Sequence, residues 1–174
     1  MRINRTRSKV AGYTLTEAML VVAIVGIVGS IGATLLIQMT RSFRQNDARI
    51  GIQREAREAL HLINRNLRQA QATTVVIDQL AGEFPYSRIT FTRLTPSGGT
   101  SSLSFYQQGS KLLMTEGSLA PKAISKNLRY LGFTYARTDN DRLISVSLTT
   151  ESGTFEGKTK ALQLSVEKVR IMND

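Results

Sequence analysis

The chain has 174 residues, of which 41% are hydrophobic, and its formal net charge is +10. This length allows one modest domain with an additional segment, and the composition is typical of a folded protein. The absence of cysteine excludes disulfides, thiol nucleophiles and thiolate metal sites. With a single histidine, no set of nucleophile, base and orienting acid can be assembled, and we predict that the protein is not an enzyme.

Positive charge is concentrated at the N-terminus. Arg2, Arg5, Arg7 and Lys9 stand among the first nine residues with no acid between them. These four cations make up four of the ten net charges. The high net charge is therefore partly a property of the N-terminal segment, which weakens its interpretation as a sign of nucleic-acid binding.

A long apolar run follows. No charged residue occurs from Ala18 to Thr40, and Ala18–Ile37 is almost wholly apolar or small. Twenty helical residues span roughly 30 Å, which is about the thickness of the hydrocarbon layer of a bilayer. The run therefore predicts a membrane helix.

Three interpretations of this run remain open from the residues alone. It could be a secretory signal peptide cleaved near Gly32 or Ala33, which would release a soluble exported domain. It could also be a plain single-pass anchor. The third interpretation accounts for Glu17, a lone carboxylate at the start of the run, where a charge is costly unless it has a cationic partner.

The segment from Lys9 to Leu20, KVAGYTLTEAML, resembles the prepilin leader of type IV pilins and type II secretion pseudopilins. The resemblance implies that a prepilin peptidase cuts after Gly12 on the cytoplasmic side and that the new N-terminus, Tyr13, is methylated. It also implies that Glu17 is the family's characteristic glutamate, which acts in filament assembly. The usual first mature residue is phenylalanine, so Tyr13 departs mildly from the pattern.

Two further features bear on this resemblance. Many members carry a helix-kinking proline where this chain has Thr34, although Gly26, Gly29 and Gly32 could supply flexibility instead. Arginines from Arg41 onward follow the run, so charge alone does not settle its orientation. The resemblance implies a single pass through the bacterial inner membrane with the C-terminal domain on the far side.

Electrostatics is compatible with that assembly role. Cleavage would leave a positive α-amine on Tyr13, and methylation retains its charge. Glu17 lies about one helical turn further along the same face. In a filament the carboxylate of one subunit could meet the amine of its neighbour and neutralise both charges in an apolar core.

The helix is predicted to continue as an amphipathic segment. Good helix formers dominate residues 43–72, and apolar residues recur at spacings of three and four. The predicted buried stripe is Ile52, Ala56, Ala59, Leu60, Ile63, Leu67 and Ala70. A basic stripe lies nearly opposite and contains Arg54, Arg57, His61, Arg65 and Arg68. We interpret it as a solvated face or as a contact with acidic neighbours, and DNA binding is the less favoured alternative.

After Gln71 the pattern changes to short alternating strands separated by turn residues. The predicted strands are centred on residues 89–91, 103–105, 112–114, 144–148 and 162–166. Predicted turns lie at residues 96–99, 108–110, 139–141 and 151–153. The apolar phase slips between Val166 and Val169, which predicts a bulge near Lys168. Asp139, Asn140 and Asp141 are interpreted as a turn, and we predict neither a metal site nor a cofactor.

Together these features predict an α+β fold, with a long N-terminal helix packed on an antiparallel sheet, as the resemblance also implies. The predicted organisation is a leader at 1–12, a hydrophobic assembly helix at 13–40, an amphipathic helix half at 41–72 and a sheet domain at 73–174. Residues 54–71 and 166–173 are similar to the corresponding parts of J-type minor pseudopilins and related minor pilins. The expected function is that of a minor filament subunit that primes or caps assembly and whose partners are other pilins or pseudopilins. The alternative is a competence-type pilin that binds DNA through the basic stripe.

Overall fold

The computed structural model describes residues 12–80, 87–95, 98–137, 140–154 and 160–173. The cationic leader residues up to Ala11, the turn residues Pro96 and Ser97, and Asp139 lie outside the described residues. The chain forms two compact units, Met1–Phe43 and Arg44–Asp174.

Helix α1 runs from Leu15 to Arg68, a length of 54 residues, and its apolar half belongs to the first unit. The large hydrophobic side chains from Met19 to Met39 are each at least 51% exposed. The few hydroxyls in the run donate to carbonyls of the same helix: Ser30 to Ile27 (2.8 Å), Thr34 to Ser30 (3.1 Å) and Thr40 to Leu36 (2.8 Å). These side chains therefore need no polar partner outside the helix.

The later part of α1 belongs to the second unit, where it buries the predicted stripe. The buried members within the helix are Ile52, Ala56, Ala59, Ile63 and Leu67, and Leu60 is half-buried.

The helix ends at Arg68, before the predicted end at residue 72. It stops there because the next residues pair with strands instead: the Gln71 amide donates to the Thr92 carbonyl (2.9 Å), and Ala70 bridges to Arg93. Ala70 is buried as predicted, but it lies outside the helix.

The rest of the second unit is built from strands. Those of the described residues are β1 Val76–Asp78, β2 Arg88–Leu94, β3 Thr100–Gln108, β4 Lys111–Glu116, β5 Lys122–Ser125, β6 Leu128–Arg137, β7 Asn140–Gly153 and β8 Lys160–Arg170. A short 3₁₀ turn, Ala72–Thr74, precedes β1. The first five strands form one sheet in sequence order, and β6-β7-β8 form a second. Every pairing between these strands is antiparallel.

The predicted α+β fold, a long helix packed against antiparallel sheets, is confirmed. The core joins the buried stripe of α1 to both sheets through large side chains such as Phe91, Phe105 and Phe133. The five predicted strands lie in β2, β3, β4, β7 and β8. The pattern did not identify β6, because a register shift between Leu128 and Tyr130 breaks its alternation.

Two predictions in the second sheet are wrong. Residues 151–153 are not a turn but the end of β7, where Glu151 pairs with Leu162 and Gly153 pairs with Lys160. No bulge interrupts β8 near Lys168, since the register with β7 is continuous from Lys160 to Arg170.

Glu55 ties the helix to the loop between β5 and β6. Its Oε1 accepts the amides of Lys126 (2.6 Å) and Asn127 (3.3 Å), and its Oε2 accepts the Asn127 side-chain amide (2.8 Å). Partial burial raises the pKa of the Glu55 carboxyl, but the hydrogen bonds from Asn127 and Lys126 outweigh it and hold that pKa below its usual value. The charged form of Glu55 therefore stabilises the second unit.

We predict that Glu55→Ala lowers the free energy of unfolding by about 1–2 kcal/mol, since it removes several hydrogen bonds to a charged acceptor. Because the folded pKa is the lower one, the contribution is full above the unfolded pKa of a glutamate and disappears as the pH falls through the folded pKa. Thermal unfolding of the full chain, followed by circular dichroism at pH 7 and at acidic pH, should show the variant and the parent converging on acidification. Glu58→Ala is the matched control, because Glu58 makes only an exposed pair with Arg54 and should change stability by less than about 0.5 kcal/mol.

Candidate functional site at the start of the helix

The start of α1 is closed by a reciprocal pair of hydrogen bonds between Thr14 and Glu17. The Thr14 amide donates to Glu17 Oε2 (2.9 Å), and the Glu17 amide donates to Thr14 Oγ1 (3.3 Å). The Thr14 carbonyl accepts the Ala18 amide (3.1 Å), as the residue that caps a helix does. A hydroxyl residue at the cap with a glutamate three positions later forms a capping box, which satisfies two amides that the helix leaves unpaired.

The capping box uses only one oxygen of the Glu17 carboxylate. Thr14 Oγ1 also donates to Oε2 (3.1 Å), whereas Oε1 accepts no hydrogen bond from the described part of the chain. The side chain is exposed. Glu17 is thus held in place by its own helix with one carboxylate oxygen available to a second partner.

Gly12 and Tyr13, the predicted cleavage residues, precede the helix, have no regular secondary structure and are exposed. Tyr13 is 86% exposed. The sequence predicts a methylated Tyr13 about one turn from Glu17; in the structure Glu17 lies in the first turn of α1, and Tyr13 is exposed two residues before the helix begins at Leu15.

The apolar surface behind this site is large. The most apolar stretch of α1 has none of its residues buried, and the helix is long and apolar enough to cross a bilayer. Soluble proteins rarely expose a contiguous apolar patch of more than a few hundred Å² unless a membrane or another protein covers it. A cleaved signal sequence can be equally long and apolar, so the motif at the start of the run has to distinguish a signal sequence from a membrane anchor.

The predicted basic stripe lies on the exposed face of the later part of α1. Arg54 pairs with Glu58 (2.8 Å), and Arg68 Nε donates to Asn64 Oδ1 (2.9 Å). Arg57 and Arg65 are exposed. Two of the four arginines are therefore engaged with neighbours on their own helix, and DNA binding is not favoured.

The described residues contain no group of three or more acidic or histidine side chains that could hold a metal ion. The turn predicted at residues 139–141 does not extend to Asn140 and Asp141, which are the first residues of β7. Asn140 Oδ1 accepts the Arg142 amide (3.0 Å) there.

Sequence reasoning missed one role of Glu17. It assigned the carboxylate to a neighbouring subunit, whereas the structure gives it a partner within its own chain. The signal was present: Thr14 followed three residues later by Glu17, before an apolar run, is the sequence pattern of a capping box.

The chain matches the family model of the prokaryotic N-terminal methylation motif over residues 7–33. No curated protein and no solved structure matches the chain. The matched segment includes the capping box and most of the exposed apolar run, and it implies processing by a prepilin peptidase and assembly with other pilins. Together with a long helix packed on antiparallel sheets, the motif supports a type IV pilin-like subunit.

We predict that Thr14→Ala loosens the first turn of α1, because replacing a capping threonine by alanine costs about 0.5–2 kcal/mol. The exchange of the Ala18 amide, measured by NMR on the full chain in micelles, should quicken about five-fold, which corresponds to roughly 1 kcal/mol. Thr40→Ala is the control, since Thr40 bonds only to a carbonyl of the preceding turn. An unchanged rate in Thr14→Ala would mean that the box does not stabilise the helix start.

Proposed function

We propose that the chain is a minor pilin or pseudopilin, cleaved between Gly12 and Tyr13, methylated on Tyr13, and assembled into a type IV pilus or a type II secretion pseudopilus. Its work is to prime or cap filament assembly through protein surfaces. The observation that carries the proposal is the methylation motif at residues 7–33, which spans the exposed start of α1 and most of its uncharged run.

The apolar run has to be shielded from water both before and after assembly. Before assembly the inner membrane would cover it, with residues 1–12 as a cytoplasmic leader and 13–40 as the spanning helix. In the filament the same surface would pack against the helices of other subunits. Gly26, Gly29 and Gly32 would allow close approach, since small residues at such spacings let membrane helices pack tightly.

Glu17 would then serve two partners in succession. Its Oε2 stays in the capping box with Thr14, and its Oε1 would receive the methylated amine of a neighbouring subunit. A carboxylate and an amine that meet in an apolar core cost far less than either charge buried alone. This pairing would fix the stagger between subunits.

A minor rather than a major subunit is supported by the similarity of residues 54–71 and 166–173 to those of J-type minor pseudopilins and related minor pilins. The amphipathic segment at 41–72 and the sheet domain at 73–174 would then lie outside the inner membrane. The exposed arginines of α1 would contact acidic neighbours in the filament.

We expect the protein recovered from membranes to begin at Tyr13 and to carry one additional methyl group, as determined from the mass of its N-terminal peptide. Gly12→Lys should leave the leader in place, because the resemblance implies a peptidase that cuts after a glycine. A mature N-terminus near Ala33 would instead establish a secreted domain, and a chain that still begins at Met1 in cells with an active peptidase would establish a plain anchor.

The two roles of Glu17 can be separated by substitution. Glutamine can replace glutamate in a capping box, so Glu17→Gln should keep the helix start while removing the charge. We expect this variant to be cleaved at Gly12 but to be recovered in sheared filaments at less than about a tenth of the parental level. Thr14→Ala, which keeps the carboxylate, should lower filament recovery far less. Normal recovery of Glu17→Gln together with a large loss in Thr14→Ala would argue that the cap and not the charge is required.

A further inference from the structure

The edge strand β8 has a row of large apolar side chains on its exposed face. Its exposure alternates along all 11 residues, and the exposed positions include Leu162 (59%), Leu164 (65%) and Val166 (58%). The opposite face of β8, toward the core, has half-buried Gln163, Ser165 and Glu167 in its centre and buried Ala161 and Val169 toward its ends. An exposed apolar row on a strand that turns polar residues inward indicates a surface that another molecule covers.

This strand also presents an open edge. Among the described strands, β8 pairs with β7 alone, and their register is unbroken over its full length. The other sheet edges offer less: β1 has three residues, β5 has four, and β6 contains two register shifts. Long regular edges with apolar side chains are templates for the addition of a further strand.

Basic side chains lie at both ends of the apolar row. Lys160 lies at one end of the exposed face, and Lys168 and Arg170 lie at the other. Lys160 pairs with Glu151 (3.0 Å), whereas Lys168 and Arg170 form no ion pair with any described residue. Directly opposed charges of unlike sign stabilise a strand pair, and those of like sign destabilise it.

We propose that β8 is a docking edge for an extended segment of a different polypeptide, which adds as a fourth strand to the β6-β7-β8 sheet. The fitting segment has apolar side chains at alternate central positions, beside Leu162, Leu164 and Val166. It has acidic side chains toward both ends, opposite Lys160 and opposite Lys168 and Arg170.

A second copy of this chain meets like charges in the antiparallel register that aligns all three apolar residues. An antiparallel pair of β8 strands centred on Leu164 would place Lys160 of each copy opposite Lys168 of the other. A shift by one position on each strand, centred on Ser165, would place Lys160 opposite Arg170. A partner segment with acidic side chains at these positions avoids that repulsion.

The test uses the full chain in nanodiscs of zwitterionic lipid and two synthetic peptides of the same length as β8. Both peptides alternate threonine with three central valines; one has glutamate opposite Lys160, Lys168 and Arg170, and the other has lysine there. We expect the glutamate peptide to bind at least ten-fold tighter, to lose affinity at high salt, and to slow amide hydrogen exchange within residues 160–170. No processing or filament is involved, so the outcome is independent of the function proposed above.

Variants of the chain sharpen the test. Lys168→Glu combined with Arg170→Glu should reverse the preference, so that the lysine peptide binds tighter. Leu164→Thr should weaken binding at least five-fold, whereas Val76→Thr, at a comparably exposed position of β1 (55%), should leave it unchanged. Equal affinity for the two peptides, protection outside β8, or self-association that Leu164→Thr abolishes would each overturn the proposal.

Discussion

The structure depends on one constraint: the apolar half of α1 cannot remain in water. Its large apolar side chains are exposed along the uncharged run, and the hydroxyls of Ser30, Thr34 and Thr40 bond to carbonyls of their own helix. Each buried methylene contributes about 0.8 kcal/mol, which makes a bilayer or a bundle of similar helices far more favourable than solvent. The first unit therefore has to be covered by a membrane or by other apolar helices.

That constraint explains why the beginning of the helix is chemically unusual. A helix that enters an apolar environment has to satisfy its first amides, since an unpaired amide there costs several kcal/mol. Thr14 and Glu17 satisfy two of them. The capping contacts use only Oε2 of the Glu17 carboxylate, so the proposed contact with a neighbouring amine would use the second oxygen of the same side chain.

The sequence predicted the parts of the fold that obey a regular period. The stripe of α1 repeats at three and four residues, and five strands alternate, so both were identified. It failed where local pattern and tertiary position disagree. In β6, Gly132 is followed by buried Phe133 and is covered by the ring of Tyr130, whose hydroxyl lies 2.7 Å from where a Cβ at Gly132 would stand. No sequence period reports such a contact, and the helix end at Arg68 likewise depends on partners distant in sequence.

The prediction in β8 failed for a more informative reason. The strand contains two apolar sets of opposite parity, and a bulge was predicted because it would have turned both sets toward the core. The structure keeps one register instead: Ala161 and Val169 are buried, Glu167 accepts a hydrogen bond from Asn64 of α1, and Leu162, Leu164 and Val166 face outward. A slip of one residue would exchange the two faces, but it would expose Val169 and bury Lys168. The side chains at the end of the strand therefore fix the register, and the apolar row that remains outside is a departure from core packing of the kind expected at a functional surface.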